Sequence, residues 1–408
     1  MFRKVYFSSK TLLYWIPVIF VVSLSCKSEE VKLDEIAFAG KQLTTAFQEI
    51  EQVRHNFPEL VSPRSLRSDT LFMVKARDWT SGFFPGNLWW MYEATGEDFW
   101  KAKAMEFTAP LEVMKDFKGT HDLGFIFYCS FGKGYQLTGN EHYKAVMLEA
   151  ADALISRYNE KVKAIRSWDH NTDKWQFPVI IDNMMNLEFL FWATKVTGDS
   201  TYYNIADTHA ETTLANHFRD DFSSYHVIDY DTLTGEVKKK NTHQGYSHES
   251  SWSRGQAWGL YGFVMCYRET GKEKYLEMAE KIANLMLEHP NMPDDLIPYW
   301  DYDAPDIPNA PRDASAAAIM ASAMFELSSY LSGDDLSYSQ VADKVLDNLT
   351  SKYRSRLGEN KGFILDHSTG HLPGKHEVDV PLVYADYYYL EALQRRKELK
   401  FTSELKFY

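Results

Sequence analysis

One short signal recurs along the chain and restricts its fold more than any other feature. Thr95-Gly96, Thr138-Gly139, Thr197-Gly198, Thr270-Gly271 and Ser332-Gly333 each end an apolar stretch, and an aromatic residue shortly after each opens another. After Tyr143 come Val146, Met147, Ala150, Ala151, Leu154 and Ile155, and after Tyr275 come Met278, Ala279, Ile282, Ala283, Met286 and Leu287. Val341, Ala342, Val345, Leu346 and Leu349 follow Tyr338 in the same way, and Trp100 and Tyr202 begin weaker copies. Such spacing is the stripe of an amphipathic helix, and the glycine supplies the left-handed residue that terminates the helix before it. Successive glycines lie 43, 59, 73 and 62 residues apart, room for two helices and a loop of variable length. Five junctions, with a sixth helix pair shared between the termini, predict an all-α (α/α)6 barrel. An open solenoid would have more uniform units. Strand-like alternation is scarce, and only Tyr225 to Tyr230, before Thr234-Gly235, reads as a short hairpin.

Arg3, Lys4 and Lys10 precede an apolar run from Leu12 to Val22, interrupted by Pro17 and followed by Ser23-Leu24-Ser25-Cys26. At about 11 residues the run is too short to span a bilayer, which takes about 20. It reads as a lipoprotein signal over residues 1–25, with Cys26 lipidated and residues 26–40 forming a tether. The expected partner there is a membrane, inner or outer, and the expected location is the periplasm or the cell surface. Residues 41–400 form the catalytic-size domain, since no linker-like stretch divides them. The formal charge is −13, and loss of residues 1–25 makes it −16. Nucleic acid is a poor partner for such a chain. Cys129 and Cys266 lie in apolar helical segments and read as core.

In a barrel of this kind function belongs to the long polar loops at one end. Asp122 follows His121 just before an apolar helix. Asp182 is embedded among Ile180, Ile181, Met184 and Met185. Position alone allows each Asp to be a helix N-cap. The apolar setting of Asp182 also predicts a raised carboxyl pKa, as a general acid at neutral pH requires, and the two roles are compatible. His121, His226, His243 and His248 show no metal-ligand spacing and read as hydrogen-bonding groups. Trp79, Trp168 and Trp258 stand beside polar loop residues and suit a sugar ring, although core packing explains any one of them. Arg254 fits either an anionic ligand or a structural ion pair.

Four motifs taken together, His121-Asp122-Leu123-Gly124-Phe125, Asp182-Asn183-Met184-Met185-Asn186-Leu187, Trp252-Ser253-Arg254-Gly255-Gln256-Ala257-Trp258 and Gly370-His371-Leu372-Pro373, resemble glycoside hydrolase family 88, the unsaturated glucuronyl hydrolases. The resemblance runs from about residue 75 to 393. It implies a hydrolase acting on 4,5-unsaturated uronic acid at the non-reducing end of short glycosaminoglycan fragments, the products of polysaccharide lyases, with no metal or organic cofactor. It also implies Asp182 as general acid and base and Asp122 as second essential carboxylate. Trp79, His121, Trp168, His226, Gln244, Arg254 and Trp258 would line the uronate subsite, and Ser368, His371 and Lys375 would face the second sugar. On this reading the charge of Asp122 raises the pKa of Asp182, while Arg254, His226 and helix N-termini make the bowl attractive to an anion. Family 105, which shares fold and reaction, a non-catalytic lipid-anchored glycan-binding barrel, and a sugar epimerase on the same fold are the competing readings. The sequence leaves the glycosaminoglycan, its sulfation and the oligomeric state open.

Overall fold

The computed structural model describes residues 33–331 and 337–405, besides Met1. Cys26, the expected signal and the tether up to residue 32 lie outside the described residues, as does the Ser332-Gly333 junction; the expected tether is shorter than 26–40, since from Glu35 the chain is helical with Phe38 and Ala39 buried. Residues from Asp34 onward form one compact unit.

Among the described residues, twelve α-helices alternate between an outer and an inner layer. The outer helices are α1 (Glu35–Asn56), α3 (Asp98–Thr108), α5 (Glu141–Ile155), α7 (Ser200–Asn216), α9 (Glu273–Glu288) and α11 (Ser337–Asn348). The inner ones are α2 (Phe83–Thr95), α4 (Lys133–Thr138, continuing a π-helical segment Gly124–Gly132), α6 (Leu187–Thr197, continuing a 3-10 segment Ile181–Asn186), α8 (Ser253–Thr270), α10 (Ala314–Ser328) and α12 (Val383–Leu405). Each inner helix packs on the next, and α12 returns to α2, closing the ring expected of an (α/α)6 barrel.

Burial explains which helix goes where. The stripes in α5, α9 and α11 bury one face, as outer helices must: Tyr275, Leu276, Met278, Ala279, Ile282, Ala283 and Met286 of α9 are buried while Glu277, Lys281 and Asn284 face water. The inner helices are covered nearly all round, and in α10 every residue from Ala314 to Phe325 is buried. Gly96, Gly139, Gly198 and Gly271 end α2, α4, α6 and α8 in the left-handed conformation, with φ between 65° and 76°.

Because outer and inner helices alternate, all inner helices run the same way and their N-termini share one end of the barrel. The loops entering them carry small antiparallel sheets that the sequence reading did not anticipate. One hairpin, β1 (Ser62–Arg67) with β2 (Thr70–Val74), precedes α2, and another, β8 (Ser368–His371) with β9 (His376–Val380), precedes α12. The Tyr225–Tyr230 hairpin is present but larger than expected. β6 (Val227–Tyr230) pairs with β7 (Val237–Asn241) on one side and with β5 (Pro178–Ile180) on the other, while β3 (Tyr158–Asn159) and β4 (Ala164–Ile165) form a fourth sheet. Strands of two to six residues are too short to show a period of two, which is why pattern alone misses them.

The inner helices approach so closely that glycine is required at the contact. A Cβ at Gly82 would stand 2.3 Å from the Phe125 carbonyl oxygen and 2.4 Å from that of Ile126, both main-chain atoms that cannot swing aside. Gly82→Ala is therefore expected to destabilise the protein by about 1–3 kcal/mol or more through overpacking. Gly96→Ala, with open space around it but φ of 70°, should lose about 1–2 kcal/mol from the left-handed backbone alone. Thermal melts of the two variants check this, and a Gly82→Ala melt matching the parent would contradict the packing.

Candidate active site

The residues with chemical potential gather where the inner helices begin. Trp79 precedes α2, His121 and Asp122 precede the π segment, Asp182 lies in the 3-10 turn before α6, Arg254 is in the first turn of α8, Asp313 caps α10 and Tyr384 is in the first turn of α12. A cavity of about 650 Å³ opens between them, lined by Trp79, His121, Asp122, Trp168, Asp182, Gln244, Arg254 and His371 among others.

Neither carboxylate serves as the helix cap that its position allowed. Asp182 sits inside its 3-10 turn, 9% exposed, and its Oδ2 has no hydrogen-bond partner. Burial pushes its carboxyl up to about 7, with the Arg254 guanidinium opposing the shift and the charge of Asp122 adding only a minor part. Desolvation by the wall of the barrel does most of it, as the apolar neighbours in sequence predict, and Asp122 adds in the expected direction. Asp122 accepts a 2.6 Å hydrogen bond from the Thr120 hydroxyl and stands 3.2 Å from His121 Nε2. His121 is itself fixed by its main-chain N–H donating to the Ser167 carbonyl. The two acidic loops are tied by Asn186, whose Oδ1 accepts from the Phe125 N–H at 3.1 Å across a gap that a Cβ at Gly124 would fill.

His226 is neutral. Its Nδ1 accepts from the main-chain N–H groups of both His243 (3.1 Å) and Gln244 (3.0 Å), so the ring proton lies on Nε2, 3.8 Å from Asp182 Oδ2. Full burial holds its pKa well below the ordinary value. The imidazole thus orients a loop and presents an N–H towards Asp182, and the expected cationic role is not available to it.

Arg254 combines both roles open to it. It lines the cavity, yet its guanidinium donates to Asp313 Oδ2 and to the Thr369 carbonyl at 2.6 Å each, and to the Gly370 carbonyl, with both charged partners almost completely buried. It lies over the rings of Trp252 and Tyr384. One side chain therefore joins α8, α10 and the β8–β9 hairpin.

Of the other expected contacts, Trp79 is half-buried against Phe83, Phe125 and Tyr384, and Trp168 stacks on His170 with ring centroids 5.1 Å apart. Gln244 donates to the Gly370 carbonyl at 3.2 Å. Four expected contact residues do not line the cavity. His226 and Trp258 lie behind its wall, Trp258 packed on Phe125 and Tyr388. Ser368 is fully buried at the start of β8, and Lys375 is exposed at the hairpin turn, where its φ of 56° directs the chain around the bend. The helical and hairpin geometry turns these side chains away although their neighbours in sequence point in.

Several lining groups carried no sequence signal. Arg64 on β1 forms a two-pronged pair with Glu377 (2.6 and 2.7 Å) and a third contact to Asp78 (2.8 Å). Its main partner is 313 residues away, beyond any local pattern. Arg77, His170 and Tyr384 also line the cavity, as does His376, which belongs to the loop expected to face the second sugar. Among the described residues no three His, Cys, Asp or Glu side chains are grouped as metal ligands.

The family profile described as Glycosyl Hydrolase Family 88 matches residues 55–398. An unsaturated glucuronyl hydrolase of Formosa agariphila is 50% identical over 387 residues, covering 93% of this chain and 96% of its own. A solved unsaturated glucuronyl hydrolase specific for heparin superposes with a TM-score of 0.84 at 48% identity, covering 89% of this chain and 98% of its own. A mutant unsaturated glucuronyl hydrolase from Streptococcus agalactiae, complexed with dGlcA-GalNAc6S, superposes at 0.74 with 30% identity, covering 88% and 89%.

Removing one partner of a buried pair leaves an uncompensated charge, so Asp313→Ala should cost about 3–5 kcal/mol. Chemical denaturation measures it, and a loss under about 1 kcal/mol, the size typical of exposed pairs, would mean that the Arg254 contact is not structural.

Proposed function

This chain belongs to glycosyl hydrolase family 88, and from that premise we propose that it hydrolyses oligosaccharides bearing a 4,5-unsaturated glucuronyl residue at the non-reducing end, derived from glycosaminoglycans. The observation that carries the reading is Asp182: a carboxyl group in the wall of an open cavity, held up to about 7 by burial, with one oxygen unpartnered.

The chemistry follows from that group. The C4=C5 bond is an enol ether to the ring oxygen. Asp182 gives its proton to C4, and the ring oxygen stabilises the resulting cation at C5. The Asp182 carboxylate then draws a proton from water as the water oxygen bonds to C5. The hemiketal so formed opens by breaking the C5–ring oxygen bond, leaving a ketone at C5 and a hemiacetal at C1, which releases the second sugar without attack at C1. This differs from displacement at the anomeric carbon by a pair of carboxylates. Asp122, positioned by Thr120 and His121, bonds the substrate hydroxyls. Inner-helix N-termini and Arg77 at the cavity edge attract the uronate carboxylate, since Arg254 and Arg64 are largely neutralised by acidic partners. The relative specific for heparin makes heparin-derived disaccharides the first to assay.

Cys26 within Ser23-Leu24-Ser25-Cys26 supports a further part of the proposal, a lipid-anchored chain in the periplasm or at the cell surface. Cys26→Ala should then move the protein from the membrane fraction to the soluble fraction, and unchanged partition would remove the anchor.

Asp182→Asn is expected to abolish turnover, followed as loss of the enol-ether ultraviolet absorbance, while the fold persists. With the parent enzyme, kcat/KM should fall as pH rises above about 7, where Asp182 loses its proton. Reaction in deuterated water should place one deuterium at C4. A raised carboxyl pKa stabilises the fold fully below the unfolded value of about 3.9 and loses that contribution as pH rises through about 7. Asp182→Asn should accordingly melt above the parent at pH 8, with the difference shrinking towards pH 4. Normal turnover by the variant, or product free of deuterium at C4, would refute the mechanism.

A further inference from the structure

Asn183, next to the acid in the 3-10 segment before α6, is completely buried and takes no part in the proposed chemistry. Its Nδ2 donates to the Ile165 carbonyl at 2.8 Å. That bond fixes which way the amide faces, since the flipped amide would set Oδ1 against another carbonyl oxygen. The imidazole of His121, itself buried, hydrogen-bonds the Asn183 side chain, and His121 Nδ1 and Asn183 Oδ1 are both shut off from solvent without any other partner. We propose that Asn183 is a positioning residue for His121: by accepting from Nδ1–H it fixes the tautomer whose Nε2 is bare, and this Nε2 and Asp122 Oδ1 form a double acceptor for one hydroxyl group of the uronate. The inference rests on the function proposed above.

A neutral imidazole has one N–H, and two placements are open to it. With the proton on Nε2, the ring would donate towards Asp122 Oδ1, 3.2 Å away. Nδ1 and Asn183 Oδ1 would then be two buried acceptors with no donor between them, a cost that nothing relieves. With the proton on Nδ1 both buried atoms are satisfied, and two lone pairs meet instead at Nε2 and Asp122 Oδ1. His121 and Asp122 line the cavity there, and the Asp122 side chain is one-fifth exposed, so water or a substrate hydroxyl can reach the pair and bridge it. The second arrangement prevails because its cost is removed by solvent and by substrate.

The surroundings keep the ring neutral and the amide in place. Burial holds the His121 pKa below its ordinary value; Asp122 opposes that shift, Arg157 before β3 adds to it, and His209 on α7 is the further titratable ring nearby. His209 is neutral as well, pushed down to about 3 by burial, and its Nδ1 accepts from the Ile165 N–H at 3.0 Å. Ile165 is thus held on one side by α7 and holds Asn183 on the other. At Asp122 the Thr120 hydroxyl already occupies Oδ2, which leaves Oδ1 for the substrate. One short turn therefore carries both the proton donor, Asp182, and the group that sets the acceptor pair.

Nitrogen-15 NMR of the full chain labelled in histidine, at about pH 7.5, distinguishes a protonated from a bare ring nitrogen, with the His121 signals assigned by their loss in His121→Gln. A protonated Nδ1 and a bare Nε2 are expected, and the reverse tautomer or an imidazolium overturns the inference. Asn183→Leu, which fills the space without an acceptor, should reverse the tautomer, whereas Asn183→Asp, which keeps an acceptor oxygen, should leave Nδ1 protonated. On an unsaturated glucuronyl disaccharide, Asn183→Leu should raise KM about tenfold with kcat changed by less than about twofold. An unchanged KM overturns the inference, and so does a loss carried by kcat alone, since Asn183 would then be acting through Asp182. Should Asn183→Leu fail to fold, the tautomers of the parent and of Asn183→Asp decide. A parent enzyme that turns over no unsaturated disaccharide overturns the hydrolase reading, and the tautomer of His121 still decides whether Asn183 positions it.

Discussion

The buried pair between Arg254 and Asp313 is the contact on which the end of the barrel depends. Asp313 Oδ2 takes the guanidinium, while Oδ1 caps α10 by accepting from the main-chain N–H of Ser315 and from its hydroxyl. Two further guanidinium hydrogens hold the carbonyls of Thr369 and Gly370, so the hairpin before α12 is fastened to α8 and α10. A buried charge is tolerated when it is paired and hydrogen-bonded, and Arg254 has one carboxylate and two carbonyls as acceptors. Its position near Asp182 then has a chemical consequence, since the same cation tempers the upward shift that burial imposes on the acid.

Asp182 works within that balance. Desolvation alone would make it too weak an acid to give its proton to C4, whereas an exposed carboxyl would already be ionised at neutral pH. A value near 7 allows one group to serve both half-reactions. His226 fits the same logic: two main-chain N–H groups fix its Nδ1 as acceptor, so an imidazole N–H rather than a cation faces the acid. The aromatic wall of Trp79, Phe125 and Trp258 keeps the setting apolar. In the proposed mechanism the chemistry depends on the environment of one carboxylate more than on a pair of carboxylates acting in concert.

The loops that build the cavity come from every part of the chain, and they are held by contacts that span it. Arg64 on β1 reaches Glu377 on β9, and Asn186 reaches Phe125. Such ties explain how short hairpins with little core of their own take a defined place at the mouth of the barrel. They also fix His371, which bonds the main-chain carbonyl of His243, a residue 128 positions earlier.

What the sequence determined by itself is the architecture and the acid. The Thr-Gly junctions are local backbone signals, the stripes after Tyr143, Tyr275 and Tyr338 are local periodicities, and the apolar neighbours of Asp182 are adjacent in the chain. Each can be read within a window of a few residues, and the motifs around Asp122, Asp182 and Arg254 point to the family in the same way. Tertiary structure decided what depends on distant partners: that Arg254 is claimed by Asp313 and opposes the burial shift of Asp182, that His226 is neutral, and that Arg64 and Tyr384 face the cavity while Lys375, Ser368 and Trp258 do not. The physical reason is the same throughout. Conformational preference is set by neighbours in sequence, whereas protonation, pairing and solvent exposure are set by neighbours in space.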